Sequence, residues 1–224
     1  MDLLDLPLRD FVARLYSEEA EYGGGSVAAL AGSLAAGLVV MIGRTILRGG
    51  GGADEPLWEE VTRESERLSL DLLASVNEDT EAYEAIVAAL RMPRAGEADR
   101  RARAADLERA LLQAARVPHR TLVACASLLG LADSVAGVAK ESVFSDLGSA
   151  AHLALAGARA AALNVAVNAG CLLEVEEATA LMASCRGDLA TAEALADSFA
   201  RRLSARGADA DGNWKGWLSV GESS

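Results

Sequence analysis

The excess of helix-forming over strand-forming residues constrains the fold of this chain more than any other feature. Its 224 residues include 47 alanines and 33 leucines, whereas valine, isoleucine and threonine together number only 25. Alanine and leucine have high helix propensity, and β-branched residues favour strands. The sequence therefore predicts an all-α fold. It argues against sandwiches, barrels and α/β nucleotide-binding folds.

One domain of six or seven helices accounts for the pattern along the chain. No linker is rich enough in glycine, proline or serine to separate domains, so we predict a helical domain over 1–206 and a polar tail over 207–224. Small residues over 27–43 permit close helix packing, and aromatic residues are only 4% of the chain, which favours a homodimer. The predicted helices cover 7–17, 27–47, 57–91, 97–116, 118–131, 145–172 and 174–205.

Charge and cysteine usage narrow the function classes. The formal net charge is −12, and an acidic surface repels phosphate backbones, so nucleic acid is not an expected partner. Cys125, Cys171 and Cys185 form no CxxC pair, and the two histidines form no ligand cluster with them, so a zinc site is not expected. Asp2 and Asp5 occupy the N-terminus where a signal peptide carries basic residues. These features predict a cytoplasmic protein with reduced thiols.

The segment 27–43 is the one stretch that resembles a membrane span. It is free of charge for 17 residues, which is at the lower limit for crossing a bilayer, and it is diluted by alanine, glycine and serine. We expect instead a helix that is buried on all sides within a soluble bundle, with no membrane contact.

A glycine turn precedes that helix. Gly23, Gly24 and Gly25 break the chain, and Ser26 is placed to cap the helix that follows. The run loosely matches a dinucleotide fingerprint and a nucleophile elbow, but both motifs require a preceding strand, and none is predicted. A glycine turn with a serine cap is the favoured interpretation. It leaves backbone N–H groups that a ligand could approach.

Asp79 interrupts an otherwise apolar helix face. A buried carboxylate is costly unless it is paired, and desolvation raises its pKa. The pattern alone is compatible with a functional carboxylate, with a structural ion pair, or with a carboxylate hydrogen-bonded to a facing helix. The face consists of Val61, Ser65, Leu68, Leu72, Val76, Asp79, Tyr83, Ile86 and Leu90, at steps of three and four residues.

Two further polar pairs lie in the helix predicted from about residue 145. Asn164 and Asn168 are one turn apart in an alanine-rich stretch. This spacing indicates either that both amides face a polar group or that they form a hydrogen bond between helices. Ser145 and Asp146 lie at the predicted start of the helix, where a capping role is the default.

Together these residues resemble the cyclodeaminase/cyclohydrolase family of folate enzymes. The resemblance covers about residues 5–170 in the family's order. It departs from the family at 139–142, which reads Ala-Lys-Glu-Ser where the family usually has Gly-Asn-x-Asn. The landmarks are Gly-Gly-Gly-Ser-Val-Ala-Ala-Leu-Ala-Gly at 23–32, Glu-Asp-Thr-Glu-Ala-Tyr at 78–83, the helix end at 90–93, Val117-Pro118, Ser145-Asp146 and Asn164-Val165-x-x-Asn168.

The resemblance implies an all-helical homodimer that binds folate in a cleft between helices, without a metal or redox cofactor. It implies one of two reactions. The cyclohydrolase converts 5,10-methenyltetrahydrofolate to 10-formyltetrahydrofolate, and the cyclodeaminase closes 5-formiminotetrahydrofolate to the methenyl form with release of ammonia. The cyclohydrolase is favoured, because the deaminase is often fused to a formiminotransferase domain and the chain contains none.

The resemblance also assigns roles to the candidate residues. Asp79 is the first candidate to stabilise the methenyl cation and deprotonate water, and Asp146 is the second. The remaining candidates are expected to bind substrate: Gly23, Gly24, Gly25 and Ser26 through N–H groups and a hydroxyl, Asn164 and Asn168 on the pteridine ring, Ser145 beside Asp146, and Arg44, Arg48 and Lys140 on the anionic glutamate tail.

Two other interpretations stay open. The altered segment 139–142 and the tryptophan-containing tail motivate a folate-binding or assembly protein without catalysis. A serine hydrolase that uses Ser26 would require His119 or His152 beside that serine.

Overall fold

The computed structural model describes residues 3–16, 23–50 and 52–207. These ranges contain helices and connecting turns but no strand, so the predicted all-α fold is confirmed. Three short 3₁₀ turns lie at Leu3–Asp5, Gly52–Asp54 and Glu141–Val143. The helices are α1 (Leu8–Arg14), α2 (Gly24–Arg48), α3 (Glu55–Arg91), α4 (Glu97–Ala136), α5 (Phe144–Ala169) and α6 (Val175–Gly207).

Helices α2 to α5 form an antiparallel bundle, and α6 packs on α4 and α5. The register is visible at the glycines of α2, because Gly25 lies against Asp79 whereas Gly43 lies against Thr62. Helices α2 and α3 therefore run in opposite directions. The core between the helices is made of alanine, leucine and valine side chains, with Trp58 as its largest fully buried member.

Small residues set the separation of the central helices. A Cβ atom on Gly157 of α5 would lie 2.9 Å from the carbonyl oxygen of Ala28 in α2 and 3.0 Å from Cys125 Sγ in α4. A larger side chain at that position would push three helices apart. Burial raises the pKa of the Cys125 thiol to about 12, so this cysteine is a packing residue rather than a nucleophile.

Three expectations about helix boundaries were wrong. The predicted break at Pro118 is absent, since α4 continues through it to Ala136. Ser26 does not cap α2, because the N-cap is Gly23 and makes no side-chain hydrogen bond. The N-terminal helix spans Leu8–Arg14 rather than 7–17. Of the predicted tail, all but Gly207 lies outside the described residues.

Helix α2 is not buried on all sides, which corrects a further expectation. Val27, Leu34 and Met41 are 39%, 55% and 46% exposed and recur every seven residues along its outer face. Nothing lies within 4 Å of a Cβ built on Gly37, on the same face. By length and composition α2 and the segment Glu141–Ala169 are both apolar enough to span a membrane, so the described residues contain two such segments, where one was expected.

Candidate functional site

The candidate site lies at the N-terminus of α2, where the described helices differ in length. Gly25 in the first turn of α2 lies against Asp79, in the middle of α3. Helix α3 continues beyond that level to Arg91, which is about 18 Å of further helix at a rise of about 1.5 Å per residue. The N-terminus of α2 therefore lies below a hairpin, which is made by the second half of α3 and the first half of α4.

A hydrogen bond between Ser26 and Asp79 joins the two helices at this point. The Ser26 hydroxyl donates to Asp79 Oδ2 over 2.9 Å, and the serine is fully buried. A side chain at Gly25 is excluded, because its Cβ would fall much closer than 3.0 Å to the Asp79 carboxylate. The glycine is required for close approach, and the serine holds the acid rather than the helix end.

Desolvation dominates the electrostatics of Asp79. Burial raises the pKa of this carboxyl above its ordinary value, and the hydroxyl and backbone N–H of Ser26 offset part of that rise. Among the residues that the structure describes, no cation forms an ion pair with Asp79. Of the interpretations left open by the sequence, the structure thus supplies a hydrogen bond to a facing helix and no ion pair.

Asn164 lies beside the same helix terminus. Its amide nitrogen would be 3.2 Å from a Cβ on Gly24, and it donates to the carbonyl oxygen of Ala160 over 2.9 Å. The structure therefore brings four of the predicted site residues next to Asp79 at this end of the bundle, namely Gly24, Gly25, Ser26 and Asn164. Gly23 directly precedes them as the N-cap of α2.

Asn168 makes a hydrogen bond between helices, which is one of the two roles predicted for it, although its partner was not predicted. Its side-chain N–H donates to the carbonyl oxygen of Ala114 over 2.7 Å. Ala114 is four residues before Pro118, which has no N–H to offer that carbonyl. The amide of α5 thus replaces the backbone hydrogen bond that proline removes, which explains how α4 continues. The sequence did contain a signal for this contact, because Pro118 lies within a helical pattern and Asn168 has no evident role in its own helix.

The other predicted residues lie at the opposite end of the bundle. Since α2 and α5 are antiparallel, the end of α2 at Arg48 lies at the same end of the bundle as the start of α5, where Lys140, Ser145 and Asp146 are. About 27 Å of helix separates Asp146 from Asn164. Within one chain the structure does not bring these four residues to Asp79. Arg44, proposed for the glutamate tail, pairs with Glu66 at 2.8 Å.

Neither histidine lies beside Ser26 as a hydrolase would require. His119 Nε2 is 2.8 Å from Asp188 Oδ2 on α6. His152 is exposed on α5, about 18 Å along the helix from Asn164. The Ser26 hydroxyl is already directed at Asp79, so the arrangement contains no serine–histidine pair. In the described part of the chain, no three His, Cys, Asp or Glu side chains are grouped so that they could hold a metal ion.

Fold and site together define an all-α bundle with a desolvated carboxylate at a glycine-rich helix terminus. The family model described as formiminotransferase-cyclodeaminase matches residues 7–186. The chain belongs to that family, which confirms the resemblance identified from its motifs.

Individual relatives agree with this assignment. Over 189 residues the chain is 35% identical to a methenyltetrahydrofolate cyclohydrolase of Methylorubrum extorquens, covering 84% of this chain and 91% of that one. It is 33% identical over 169 residues to the formimidoyltransferase-cyclodeaminase of Sus scrofa, covering 74% of this chain but only 31% of that protein. A formiminotetrahydrofolate cyclodeaminase structure from Thermotoga maritima superposes with a TM-score of 0.81 at 22% identity, covering 91% of this chain and 98% of that chain. It shows the fold.

The contact between Asn168 and Ala114 predicts a thermodynamic coupling with Pro118. Asn168→Ala leaves a buried carbonyl unsatisfied and should destabilise the protein by about 1–3 kcal/mol. In a Pro118→Ala background the backbone N–H is restored, so the same substitution should cost clearly less. Urea unfolding of the four proteins in this double-mutant cycle measures the coupling. Equal costs in both backgrounds would show that Asn168 does not replace the missing hydrogen bond.

Proposed function

We propose that this protein hydrolyses 5,10-methenyltetrahydrofolate to 10-formyltetrahydrofolate. The observation that carries the proposal is the desolvated Asp79 carboxylate, which is held by Ser26 and has no cationic partner in the described ranges. The methenyl group is a cation delocalised over one carbon and two nitrogens. A carboxylate without a protein counter-ion supplies the charge that such a substrate lacks.

The same carboxylate can move the proton that hydrolysis requires. Water adds to the carbon between N5 and N10, and Asp79 takes the proton that the water loses. The bond from that carbon to N5 then breaks as N5 takes up that proton from Asp79 and the new hydroxyl group loses its own to solvent. This leaves the formyl group on N10 and releases one proton overall. A carboxyl with a raised pKa is a stronger base than an ordinary aspartate, which favours proton abstraction near neutral pH.

The remaining site residues suit a bound pteridine. The N–H groups of Gly24 and Gly25 in the first turn of α2 have no partner within the helix. By contrast, the Ser26 N–H donates to Asp79 and the Val27 N–H donates to the carbonyl of Gly23. The positive end of the helix dipole is also there. The Asn164 amide beside Gly24 offers both a donor and an acceptor to the ring edge. The proposed reaction transfers no electrons and needs only water as co-reactant, so we expect no redox or metal cofactor.

The second candidate reaction is formation of the methenyl compound from 5-formiminotetrahydrofolate with release of ammonia. The relative from Sus scrofa motivates it, although the chain spans only about a third of that protein. Both reactions pass through a tetrahedral carbon between the same nitrogens, so both could use Asp79. Ammonia release from the formimino substrate distinguishes them. Tight binding of both compounds without turnover would instead indicate a non-catalytic folate-binding homologue.

We further propose that the active species is a cytosolic homodimer formed through the outer face of α2. The exposed Val27, Leu34 and Met41 are symmetric about Leu34, so an antiparallel pair of α2 helices would pack Val27 on Met41 of the second copy. Such packing would carry the Asp146 end of one chain to the Asp79 end of the other. Asp146 then becomes the second candidate acid at a composite site.

Complementation tests the composite site. Asp79→Asn and Asp146→Asn chains should each be inactive alone. Mixed after unfolding and refolding, they should recover about a quarter of wild-type activity, because half of the dimers are mixed and each has one intact site. Full activity of Asp146→Asn alone, or no recovery on mixing, would place the reaction within one chain.

Asp79→Asn should abolish most turnover without unfolding the protein. The amide has nearly the same shape but neither the charge nor the base, so turnover should fall about a hundredfold or more. Because burial raises the pKa of Asp79, its ionised form destabilises the folded state. That cost is absent below the unfolded pKa and is complete above the folded one. At neutral pH the variant should therefore melt no lower than wild type.

The measurement follows loss of the methenyl absorbance at a pH where spontaneous hydrolysis is slow, with melting recorded on the same preparation. Asp71→Asn is the matched control, since Asp71 is an exposed acid two turns away on α3 that pairs with Arg67. Wild-type turnover in folded Asp79→Asn would remove Asp79 from the mechanism.

A further inference from the structure

The tip of the α3–α4 hairpin is a local basic surface on an acidic protein. Four arginines there have no acidic partner within residues 3–16, 23–50 and 52–207: Arg91, Arg94, Arg100 and Arg103. The two acids of the tip are already engaged. Glu97 pairs with Arg101, and Asp99 accepts a hydrogen bond from the N–H of Gly96. By contrast, arginines such as Arg116, Arg120 and Arg159 on the body of the bundle are paired with glutamates.

Two of these arginines lie on the helix face that leads to Asp79. Steps of three and four residues join Arg100 and Arg103 to Leu107, Ala110 and Ala114 on one stripe of α4. The lower end of that stripe is buried against α3, where Ala114 clusters with Ala82 and Ile86. At the upper end, Arg103 Nε donates to the carbonyl oxygen of Leu90 over 3.4 Å.

The facing stripe of α3 connects the carboxylate to that arginine. Asp79, Tyr83, Ile86 and Leu90 follow one another at steps of four, three and four residues. Tyr83 and Leu90 are 49% and 48% exposed, so this strip presents an aromatic and an aliphatic side chain on its surface. About 17 Å of helix separates Asp79 from Leu90. A carboxylate, an apolar strip and a pair of arginines therefore follow one another along one side of the hairpin.

We infer that Arg100 and Arg103 bind the glutamate carboxylates of the substrate, with its aminobenzoyl ring lying on Tyr83 and Leu90. This inference rests on the proposed function, and it locates the anionic end of the ligand. With the one-carbon unit at Asp79, the aromatic ring and the first glutamate extend toward the tip, and further γ-linked glutamates reach its outer arginines. Guanidinium groups pair with carboxylates in a two-pronged geometry, and the unpaired state of these arginines leaves that geometry available.

The inference replaces the expectation that Arg44, Arg48 and Lys140 receive the tail. Arg44 is paired with Glu66, and within one chain the other two lie at the opposite end from Asp79. In the proposed dimer Arg48 and Lys140 could reach the site only from the second copy, so they are tested beside the hairpin arginines. It also predicts selectivity. Substrates with several glutamates should bind more tightly than the monoglutamate, and added salt should weaken that preference.

The test compares KM for methenyltetrahydrofolate carrying one and three glutamates. In Arg100→Gln/Arg103→Gln the KM for the triglutamate should rise about tenfold, as expected for losing two partly exposed ion pairs, while kcat stays within about twofold. The monoglutamate should be affected less. Arg186→Gln/Arg201→Gln is the control, because it removes the same charge from two exposed α6 arginines, and its KM values should match wild type.

Three results would overturn the inference while the enzyme remains active. One is an unchanged KM for the triglutamate in the Arg100→Gln/Arg103→Gln variant. A second is a rise in KM only in Arg48→Gln/Lys140→Gln, which would assign the tail to Arg48 and Lys140, contributed by the second copy in the proposed dimer. The third is a change in the oligomeric state of the Arg100→Gln/Arg103→Gln variant while its KM stays unaltered, which would identify the hairpin as a subunit interface.

Failure of the proposed function is distinguished by a binding measurement. If wild type turns over neither folate, calorimetry with p-aminobenzoyl-tri-γ-glutamate still examines the subsite. Binding by wild type and loss of binding in Arg100→Gln/Arg103→Gln would support the arginine assignment without the reaction. Absence of binding by wild type would overturn both.

Discussion

The hydrogen bond from Ser26 to Asp79 is the interaction on which the site depends. It joins the first turn of α2 to the middle of α3, and it exists only because Gly25 allows the carboxylate to lie against the backbone. Burial of the acid raises its pKa, and the serine prevents the charge from being left without a donor. The same contact therefore sets the register of two helices and prepares a base.

The site exists because the helices packed around Asp79 differ in length. Helices α2 to α5 share one core, but α3 and α4 continue beyond the first residue of α2 as a hairpin. For α4 to continue through Pro118, the carbonyl of Ala114 needs a donor other than the missing proline N–H. The side-chain amide of Asn168 provides that donor. Consequently an amide that resembles a ligand-binding residue in the sequence supports the wall of the site. Its neighbour Asn164 lies beside the helix terminus where the pteridine is proposed to bind.

Composition and hydrophobic spacing along the chain predicted the features of the structure that arise within single helices. Composition predicted the all-α fold, and spacing predicted the buried part of the α3 face from Val61 to Val76 with Asp79 beyond it. Tyr83 and Leu90 on the same stripe are exposed, because α3 continues past the first residue of α2. The failures concern contacts between distant segments. Ser26 was interpreted as a cap because its acceptor is 53 residues away, and Pro118 as a helix break because its compensating amide is 54 residues from Ala114. The order of motifs also does not reveal that α2 and α5 are antiparallel. The sequence therefore could not show that Arg48, Lys140 and Asp146 lie away from Asp79 within one chain and would reach it only from the second copy of the proposed dimer.

Titration of the Asp79 carboxyl is the most direct test of the central claim. Carbon-13 NMR of aspartate-labelled protein, with Asp79→Asn to assign the signal, measures its pKa. The account predicts a value above the ordinary 3.8, because burial outweighs the hydrogen bonds from Ser26. It also predicts a further rise in Ser26→Ala, because the lost hydroxyl stabilises the ionised form. A pKa at or below the ordinary value in wild type would contradict the account. So would a pKa that falls in Ser26→Ala.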